Sequence, residues 1–361
     1  MGATYTYLIA DLRGGDILDE LPLSGVTFDK KLNDTGSLRA QLYVGDPEIR
    51  VREPRLLTEP GRTAVYVDRD GELLWGGIVW TSRYSGASNV LELGAADLLS
   101  YFEHRLVLDP EDPTAGVPLA GDQLAVARSL VTGAQSHPGG DLGIVFTGAE
   151  SSGVTRTVTY SPGDLKPVAD ALRDLANADD GFDFTVDVRY GESGEPQRFL
   201  RFGFPRLGQP GAPYVWEYGA NLVDYVWPSD AASMATRVLA PGGAPVVTDP
   251  TALTAGWPLL DAQVSPSDTT DAAMLDAQVK GELAARRRPV VLPELTVRAD
   301  LDPVVGSYSV GDDARIVIDD PFFAGEQLDV TVRILGLEVT PGDDAGQEQV
   351  TLTVAPFLEQ S

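Results

Sequence analysis

Cysteine is absent from this sequence of 361 residues, and histidine occurs only twice, as His104 and His137. The missing cysteines exclude disulfides, thiolate nucleophiles and cysteine-based metal sites, so stability must come from burial. Neither a G-x-S-x-G nucleophile motif nor an H-E-x-x-H zinc motif is present. We therefore interpret both histidines as surface or packing residues rather than catalytic bases.

Long apolar runs are also missing, and no segment approaches the roughly 18 residues that a membrane-spanning helix needs. The N-terminal stretch MGATYTYLIADLRGG lacks the basic start and apolar core of a signal peptide. Positive charge is scarce, with 27 Lys and Arg against 54 Asp and Glu, a formal net charge of -27. Because nucleic-acid affinity depends largely on basic residues, this surface should repel DNA. The composition predicts a soluble, unprocessed globular chain with no membrane segment.

Motifs for cofactors and metals are missing as well. Neither a Walker loop nor a G-x-G-x-x-G fingerprint occurs, which argues against a nucleotide cofactor. The segment Asp68–Glu72 resembles the start of a calcium loop, but the further acidic ligands are not in place, so we interpret it as a hairpin turn. The sequence predicts no catalytic, cofactor-binding or metal site and no enzyme activity.

Turn residues are abundant, with 38 Gly and 26 Pro, and they separate short alternating apolar runs that are typical of antiparallel strands. Val65–Val67 and Leu73–Trp80 flank Asp70-Gly71, a dipeptide that suits the positive φ angles of a tight hairpin. Val90–Leu93 adds a further strand. We expect residues 1–108 to form a first antiparallel β-barrel.

A small α+β domain is expected over residues 109–205. Apolar residues at helical spacing predict one helix at Asp122–Val131 and another from Ser161-Pro162 to Ala176. Alternating residues predict paired strands at Phe182–Val188 and Phe199–Phe204.

Strand patterns return in the last part of the chain. They predict a second β-barrel formed by residues 206–240 and 289–361. Residues 241–288 split this barrel as an insertion with a loop and a helix at Asp268–Arg287.

The two barrels share a sequence pattern, which indicates an internal repeat. Gly25–Leu42 and Asn221–Leu239 are each predicted to be a strand, a polar break and a strand. The alignment of the later strands places Gly61-Arg62 beside Gly311-Asp312, Trp75–Val79 beside Arg333–Leu337, and Leu91–Leu93 beside Thr351–Thr353. The competing interpretation is that any two meandering β-domains share such a pattern. If the repeat is real, three chains present six similar barrels around one axis, and a three-fold ring can match a six-fold one.

The strand that contains Leu73–Trp80 carries apolar residues on both faces, so both faces must be covered. We expect one face to pack inside its own barrel and the other to meet a neighbouring domain or subunit. The alternative is that the inserted α+β domain of the same chain covers it. The proposed interface residues are Leu74, Trp75, Gly76, Gly77, Ile78 and Trp80.

The order of barrel, inserted α+β domain and interrupted second barrel resembles the trimeric baseplate hub of contractile-tailed phages and the hub region of siphophage tail-associated proteins. The segments RDGELLWGGIV, LSGVTFDKKLNDTGSLRAQL, YSVGDDARIVI and VRILGLEV resemble minor tail proteins of phages that infect actinobacteria. The resemblance covers essentially the whole chain.

The resemblance implies a homotrimeric ring at the tail tip of the virion, made in the host cytoplasm. Such a hub adapts the six-fold tube to a three-fold tip and surrounds the channel through which DNA passes without specific binding. The implied partners are the distal tail protein, other tail-tip proteins and the tape measure protein. Many siphophage relatives continue into a fibre or a hydrolase, whereas this chain stops at Ser361, so other proteins are expected to bind the host and digest its wall.

Two other functions stay open at this stage. The 54 acidic residues provide many possible carboxylate pairs for a cell-wall-degrading enzyme. Exposed tryptophans could instead be platforms of a glycan-binding adhesin, the candidates being Trp216, Trp227 and Trp257.

Overall fold

The computed structural model describes residues 3–241, 245–264, 272–287, 291–323, 327–342 and 348–356. Strands make up 43% of the structure and helices 19%, which confirms the mainly β class. Among the described residues, no helix is long and apolar enough to cross a membrane.

The first group of strands, here called the first block, is an antiparallel part of the main sheet with three short helices. Its strands are β1 (Tyr5–Asp11), β2 (Ile17–Glu20), β3 (Ser24–Lys31), β4 (Ser37–Tyr43), β5 (Thr63–Arg69), β6 (Glu72–Ser85) and β7 (Val90–Asp97). Its helices are α1 (Pro47–Arg50), α2 (Pro54–Leu57) and α3 (Leu99–Glu103). The predicted β5–β6 hairpin is confirmed, because Asp70 and Gly71 have φ angles of 54° and 91° and so form the kind of turn that matches the strand twist.

The α+β region follows the first block. It contains β8 (Val117–Asp122), α4 (Gln123–Ser136), β9 (Ile144–Gly148), β10 (Thr155–Tyr160), α5 (Val168–Ala176), β11 (Asp183–Tyr190) and β12 (Pro196–Gly203). The predicted pairing of the last two strands is confirmed over their full length. Ser161-Pro162 opens a 3-10 turn instead of α5, because Leu165 adopts a φ of 48° and Pro167 precedes the helix.

The second block comes from two separated segments. Before the insertion it has β13 (Tyr214–Glu217) and β14 (Leu222–Val226). The insertion holds β15 (Arg237–Leu239), β16 (Val246–Thr248), α6 (Pro250–Thr254), β17 (Asp261–Gln263) and α7 (Ala272–Arg286). The block is completed by β18 (Glu294–Arg298), β19 (Asp313–Ile318), β20 (Leu328–Thr340) and β21 (Gln349–Pro356).

The two strands predicted within Asn221–Leu239 are present as β14 and β15, but they lie in different sheets. β15 pairs with β16 and β17 in a separate three-stranded sheet. The antiparallel partner of β14 is β18, which follows the insertion. β15 has the same apolar alternation as a strand of the main sheet, and its small core with α7 is not visible in the sequence.

Both blocks nevertheless have the same strand order. The first block runs β3-β4-β7-β6-β5-β1 and the second runs β14-β18-β21-β20-β19-β13. Corresponding neighbours are antiparallel in both blocks, except that β13 runs parallel to β19 whereas β1 runs antiparallel to β5. The two long strands, β6 and β20, each contain a corresponding bulge, at Trp80 in the ladder with β7 and at Leu335 in the ladder with β21. β6 has a further bulge at Leu74 in its ladder with β5. The repeat therefore exists at the level of strand topology.

Hydrogen bonds fix how the two blocks correspond. The N–H of Gly61 donates to Val79 O at 2.7 Å, and the N–H of Gly311 donates to Ile334 O at 2.7 Å. The glycine pair aligned from sequence is therefore correct, and Val79 corresponds to Ile334.

The sequence alignment of the two later strands is wrong. The ladders place Trp75–Val79 beside Val330–Ile334, three residues from the predicted match. They place Leu91–Leu93 beside Val350–Leu352, one residue from it. The alignment placed Ile78 beside Gly336, whereas the ladders place Thr81 there.

The blocks form one continuous sheet rather than two separate closed barrels. Residues Phe28–Lys31 of β3 pair with Gly336–Val339 of β20. A single apolar core contains residues of both blocks, including the fully buried Trp75 and Trp216. Arg69 at the hairpin tip also donates two hydrogen bonds, of 2.8 and 2.9 Å, to the carboxylate of Glu348 beside β21. Within the described part of the chain this sheet is open at both ends.

Gly77 lies where β6 leaves no room for a side chain beside β7. A Cβ atom at this position would lie 2.2 Å from the carbonyl oxygen of Ala96, which belongs to the ladder and cannot move away freely. Gly77→Ala should therefore lower the free energy of unfolding by about 1–3 kcal/mol, measured by urea denaturation. Gly86→Ala is the matched control, since the nearest atom to its Cβ lies at 3.9 Å. Equal unfolding midpoints for the two variants would contradict this packing.

Candidate assembly surface

The two halves of β6 have different surroundings. Residues 72–78 pair with β5 on one edge, and residues 77–85 pair with β7 on the other. Beyond the bulge at Trp80, the β5 side of the strand has no strand partner among the residues that the structure describes. Residues 81–85 are all exposed. β6 therefore has a free edge at its C-terminal half.

Four of the six residues proposed from sequence as an interface are buried inside the chain. Trp75 is 2% exposed, and its Nε1 donates to Asp29 O at 2.9 Å. Ile78 is fully buried in the core that includes the α+β region. Gly76 and Gly77 are buried as well.

The cover over the second face of β6 comes from β11. A Cβ atom at Gly76 would lie 2.6 Å from the Tyr66 ring and 2.8 Å from Cγ1 of Val188. The structure thus has the arrangement that the sequence analysis left as the alternative, in which the inserted region covers this face.

The other two proposed interface residues are half-buried. Leu74 packs against the shared core and lies at the rim of a cavity of about 450 Å³ between the first block, the α+β region and Gly306. Trp80 donates from Nε1 to Ser100 Oγ at 2.8 Å, and its ring centroid lies 4.5 Å from that of His104. His104 is therefore a packing residue, as expected.

The free edges of the sheet were not predicted from the sequence. β6 continues to Ser85, five residues beyond the predicted end, and carries Tyr84 with 55% of its surface exposed. β14 pairs only with β18 in the described sheet, and its Val223 and Val226 are 54% and 55% exposed. The end of β6, residues 81–85, is almost entirely polar. It therefore lacks the alternating apolar residues by which strands were located in the sequence.

A polar groove of about 800 Å³ runs across the outer face of the sheet next to the free edge of β6. It is lined mainly by polar and charged residues of β3, β4, β6 and β7, among them Thr27, Arg39, Gln41, Arg83 and Glu92. Charges of both signs lie close together, as Arg83 and Glu92 approach within 3.5 Å. This face is hydrophilic without being strongly basic.

Comparison with solved structures identifies the fold. A tail protein from Neisseria meningitidis MC58 matches 98% of this chain and 96% of its own, with 16% identity and a TM-score of 0.61. The 43 kDa tail protein of prophage MuSo2 from Shewanella oneidensis matches 98% of both chains, with 14% identity and a TM-score of 0.59. This chain has the fold of phage tail proteins.

A third solved structure extends that fold to secretion systems. An E. coli component of the type VI secretion system, structurally similar to the phage T4 tail proteins gp27 and gp5, matches 94% of this chain and 75% of its own. The identity is 11% and the TM-score 0.50. No protein-family model matches the sequence, and a search of the curated proteins finds no match either. The tail-hub resemblance seen in the sequence is thus confirmed at the level of fold.

The three tryptophans considered as glycan platforms differ in how exposed they are. Trp216 is fully buried and meets Tyr308 edge to face at 5.2 Å, so it is not a platform. Trp227 is partly buried and packs on Phe323 at 5.2 Å. Trp257 is 40% exposed.

Asp97, at the end of β7, is a buried carboxyl group with a structural role. Burial raises its pKa to about 7, although hydrogen bonds from backbone N–H groups and the charge of Lys30 act in the opposite direction. Its oxygens accept from Gly36 N at 2.8 Å and Leu99 N at 2.9 Å, which ties the β3–β4 hairpin to α3. In the described ranges no group of three or more His, Asp or Glu side chains could hold a metal ion.

Replacing Asp97 by Asn should change how stability depends on pH. Because the pKa of Asp97 is above its ordinary value of 3.8, its protonated form stabilises the fold below about pH 4, and this contribution is lost as pH rises through 7. Asn does not titrate, so the stability of Asp97→Asn relative to the unchanged protein should improve by a few kcal/mol between these limits.

Urea unfolding at a series of pH values measures this difference. Asp300→Asn is the control, because Asp300 is exposed and its hydrogen bond and ion pair with Arg298 lower its pKa. A difference for Asp97→Asn that stays constant with pH would contradict the burial argument.

Proposed function

We propose that this chain is a structural protein of a phage tail tip. In this proposal it forms a homotrimeric hub ring that adapts the six-fold tail tube and distal tail protein to a three-fold tip and surrounds the DNA exit channel. The observation that carries the proposal is the repeated strand order of the two blocks, joined through β3 and β20. The fold shared with phage tail proteins supports it.

The junction between the blocks is a head-to-tail contact. The C-terminal half of β20 in the second block pairs with β3 at the edge of the first block. The two surfaces in contact are therefore different. Heterologous contacts of this kind generate rings when their rotation closes. Each chain already contains one such contact between two blocks, so three chains provide six similar blocks. Six blocks match the six-fold tube, and three chains match the three-fold tip.

The domain bounds remain those proposed from sequence for the first part of the chain. They are residues 1–108 for the first ring domain and 109–205 for the inserted α+β domain. The second ring domain was expected at 206–240 and 289–361, with 241–288 as its insertion. We now propose that the insertion begins before Arg237, since β15 bonds only to strands of the insertion in the described structure. The sheet of a single chain is open in the described structure. We propose that it closes only when the copies assemble into the ring.

The polar groove face is proposed to line the channel. Its polar side chains and mixed charges would offer DNA no continuous basic track, and the net charge of -27 opposes retention of the polymer. DNA would therefore pass without specific binding.

The proposed partners and location follow from the tail-tip position. They are the distal tail protein, the tape measure protein and other tail-tip proteins of the virion. Of the residues proposed from sequence as interface, Leu74 and Trp80 keep partial exposure and remain candidates for such contacts. The role is proposed to be structural, and the fold shared with phage tail proteins supports this.

The assembly state tests this proposal. Light scattering on the purified chain should give three times the chain mass of 38.5 kDa at high concentration, with the trimer dissociating on dilution by mass action. Negative-stain images of the trimer should show a ring with six similar lobes. A monomer at every concentration, with or without a distal tail protein, would contradict the hub function.

A further inference from the structure

We propose that the ring closes by strand addition between copies. The free edge of β6 at Thr81–Tyr84 in one copy binds residues 227–230, directly after β14, in the next copy as an antiparallel strand. This inference rests on the proposed trimeric ring and names the backbone pairing that would hold it together.

The template for this contact exists inside the chain. Beyond its bulge, β20 pairs with β3 through Gly336–Lys31, Leu337–Lys30, Glu338–Asp29 and Val339–Phe28. β20 is the counterpart of β6, and β3 is the counterpart of β14. The same contact between β6 and β14 is not made within the described chain, where six strands lie between them in the sheet order.

The bulges set the register on the β6 side. Both strands resume pairing directly after the bulge, β6 with Thr81 opposite Gly94 and β20 with Gly336 opposite Thr353. Thr81 therefore corresponds to Gly336. Counting along the strand, Ser82 corresponds to Leu337 and Tyr84 to Val339.

The adjacent ladders set the register on the β14 side. Gly94 also pairs with Arg39, which pairs with Thr27. Thr353, its counterpart, pairs with Glu294, which pairs with Val226. Val226 therefore corresponds to Thr27.

The residues after β14 follow from that match. Trp227 takes the place of Phe28, Pro228 that of Asp29 and Ser229 that of Lys30. The inferred pairs between copies are Tyr84 with Trp227, Arg83 with Pro228 and Ser82 with Ser229.

Burial supports this pairing. In the contact within the chain, Phe28 and Val339 are 1% and 0% exposed and belong to the shared core. Their counterparts are larger aromatic residues left partly uncovered, with Tyr84 at 55% exposure and Trp227 half-buried. Tyrosine and tryptophan are enriched in the cores of protein interfaces. A second copy would cover both residues in the way that β3 covers Val339.

Pro228 is compatible with strand addition. The carbonyl oxygen of Asp29, its counterpart, would lie 2.2 Å from a Cβ on Gly36, just before β4, so the backbone groups of Asp29 face β4 and not β20. In an antiparallel ladder the neighbours of such a residue carry the bonds to the other strand. The N–H that proline lacks is thus one that the contact with β6 does not use.

Charge also favours the second copy as the occupant. The side chain of Arg83 is 85% exposed on β6. In the inferred register it lies diagonal to Asp230, which is exposed after β14, and cross-strand opposite charges are favourable at this spacing.

Disulfide trapping tests the register, and the chain has no native cysteine to interfere. The double variant Ser82→Cys with Ser229→Cys alters two exposed serines. Directly opposed strand residues lie about 4.5–5.5 Å apart between Cα atoms, within disulfide reach. Mild oxidation should give covalent dimers and trimers on a non-reducing gel. The control Ser85→Cys with Ser229→Cys is displaced by three residues, roughly 10 Å, and should give none.

Mixing the two single variants tests the direction of the contact. A head-to-tail contact predicts dimers only when Ser82→Cys and Ser229→Cys are mixed, and none from either alone. Dimers from Ser82→Cys alone would show β6 paired with β6 and overturn the inference.

Light scattering on the same reduced samples separates the two proposals. A trimer that fails to cross-link at Ser82 and Ser229, or that cross-links equally at Ser85, overturns the strand addition and leaves the hub function standing. A chain that stays monomeric overturns both. Cross-linking at the inferred pair with a trimeric mass supports both.

Discussion

The backbone pairing of β3 with β20 is the contact on which the rest of the structure depends. It joins two blocks of the same strand order into one sheet and aligns their apolar faces into one core. The Arg69–Glu348 ion pair adds a second connection between the blocks. Because this pairing joins different edges of the two blocks, it leaves the equivalent edges of β6 and β14 without a strand partner in the described sheet. The open edges are thus a direct consequence of the repeat.

The long strand β6 serves two purposes along its length. Its first half is covered on both faces by the same chain, and Gly76 and Gly77 permit this because side chains there would strike Tyr66, Val188 or the Ala96 carbonyl. After the bulge at Trp80, its second half still pairs with β7, but its side chains are exposed to solvent. Edge strands usually carry devices that prevent pairing with other chains, and a free edge with a large exposed aromatic residue is suited to a specific partner.

The features that could be predicted from the sequence are those that depend on residues close together in the chain. The β5–β6 hairpin followed from Asp70-Gly71, and the pairing of β11 with β12 from their alternation, because both depend on neighbouring residues. The partner of β14 and the cover over Ile78 depend on tertiary contacts that alternation does not encode. The start of α5 was placed too early because apolar spacing does not signal the left-handed backbone of Leu165 before Pro167. The polar end of β6 was missed for a related reason, since its apolar partner surface belongs, in our proposal, to another copy.

The central claim is that two blocks of one design in each chain allow three chains to build a ring of six. Electron cryomicroscopy of the assembled ring tests it most directly. The account predicts three copies whose blocks alternate at about 60° intervals at equal radius, with one sheet continuous from block to block. A ring in which the two blocks lie at different radii, or in which β6 and β14 of adjacent copies do not meet, would contradict it.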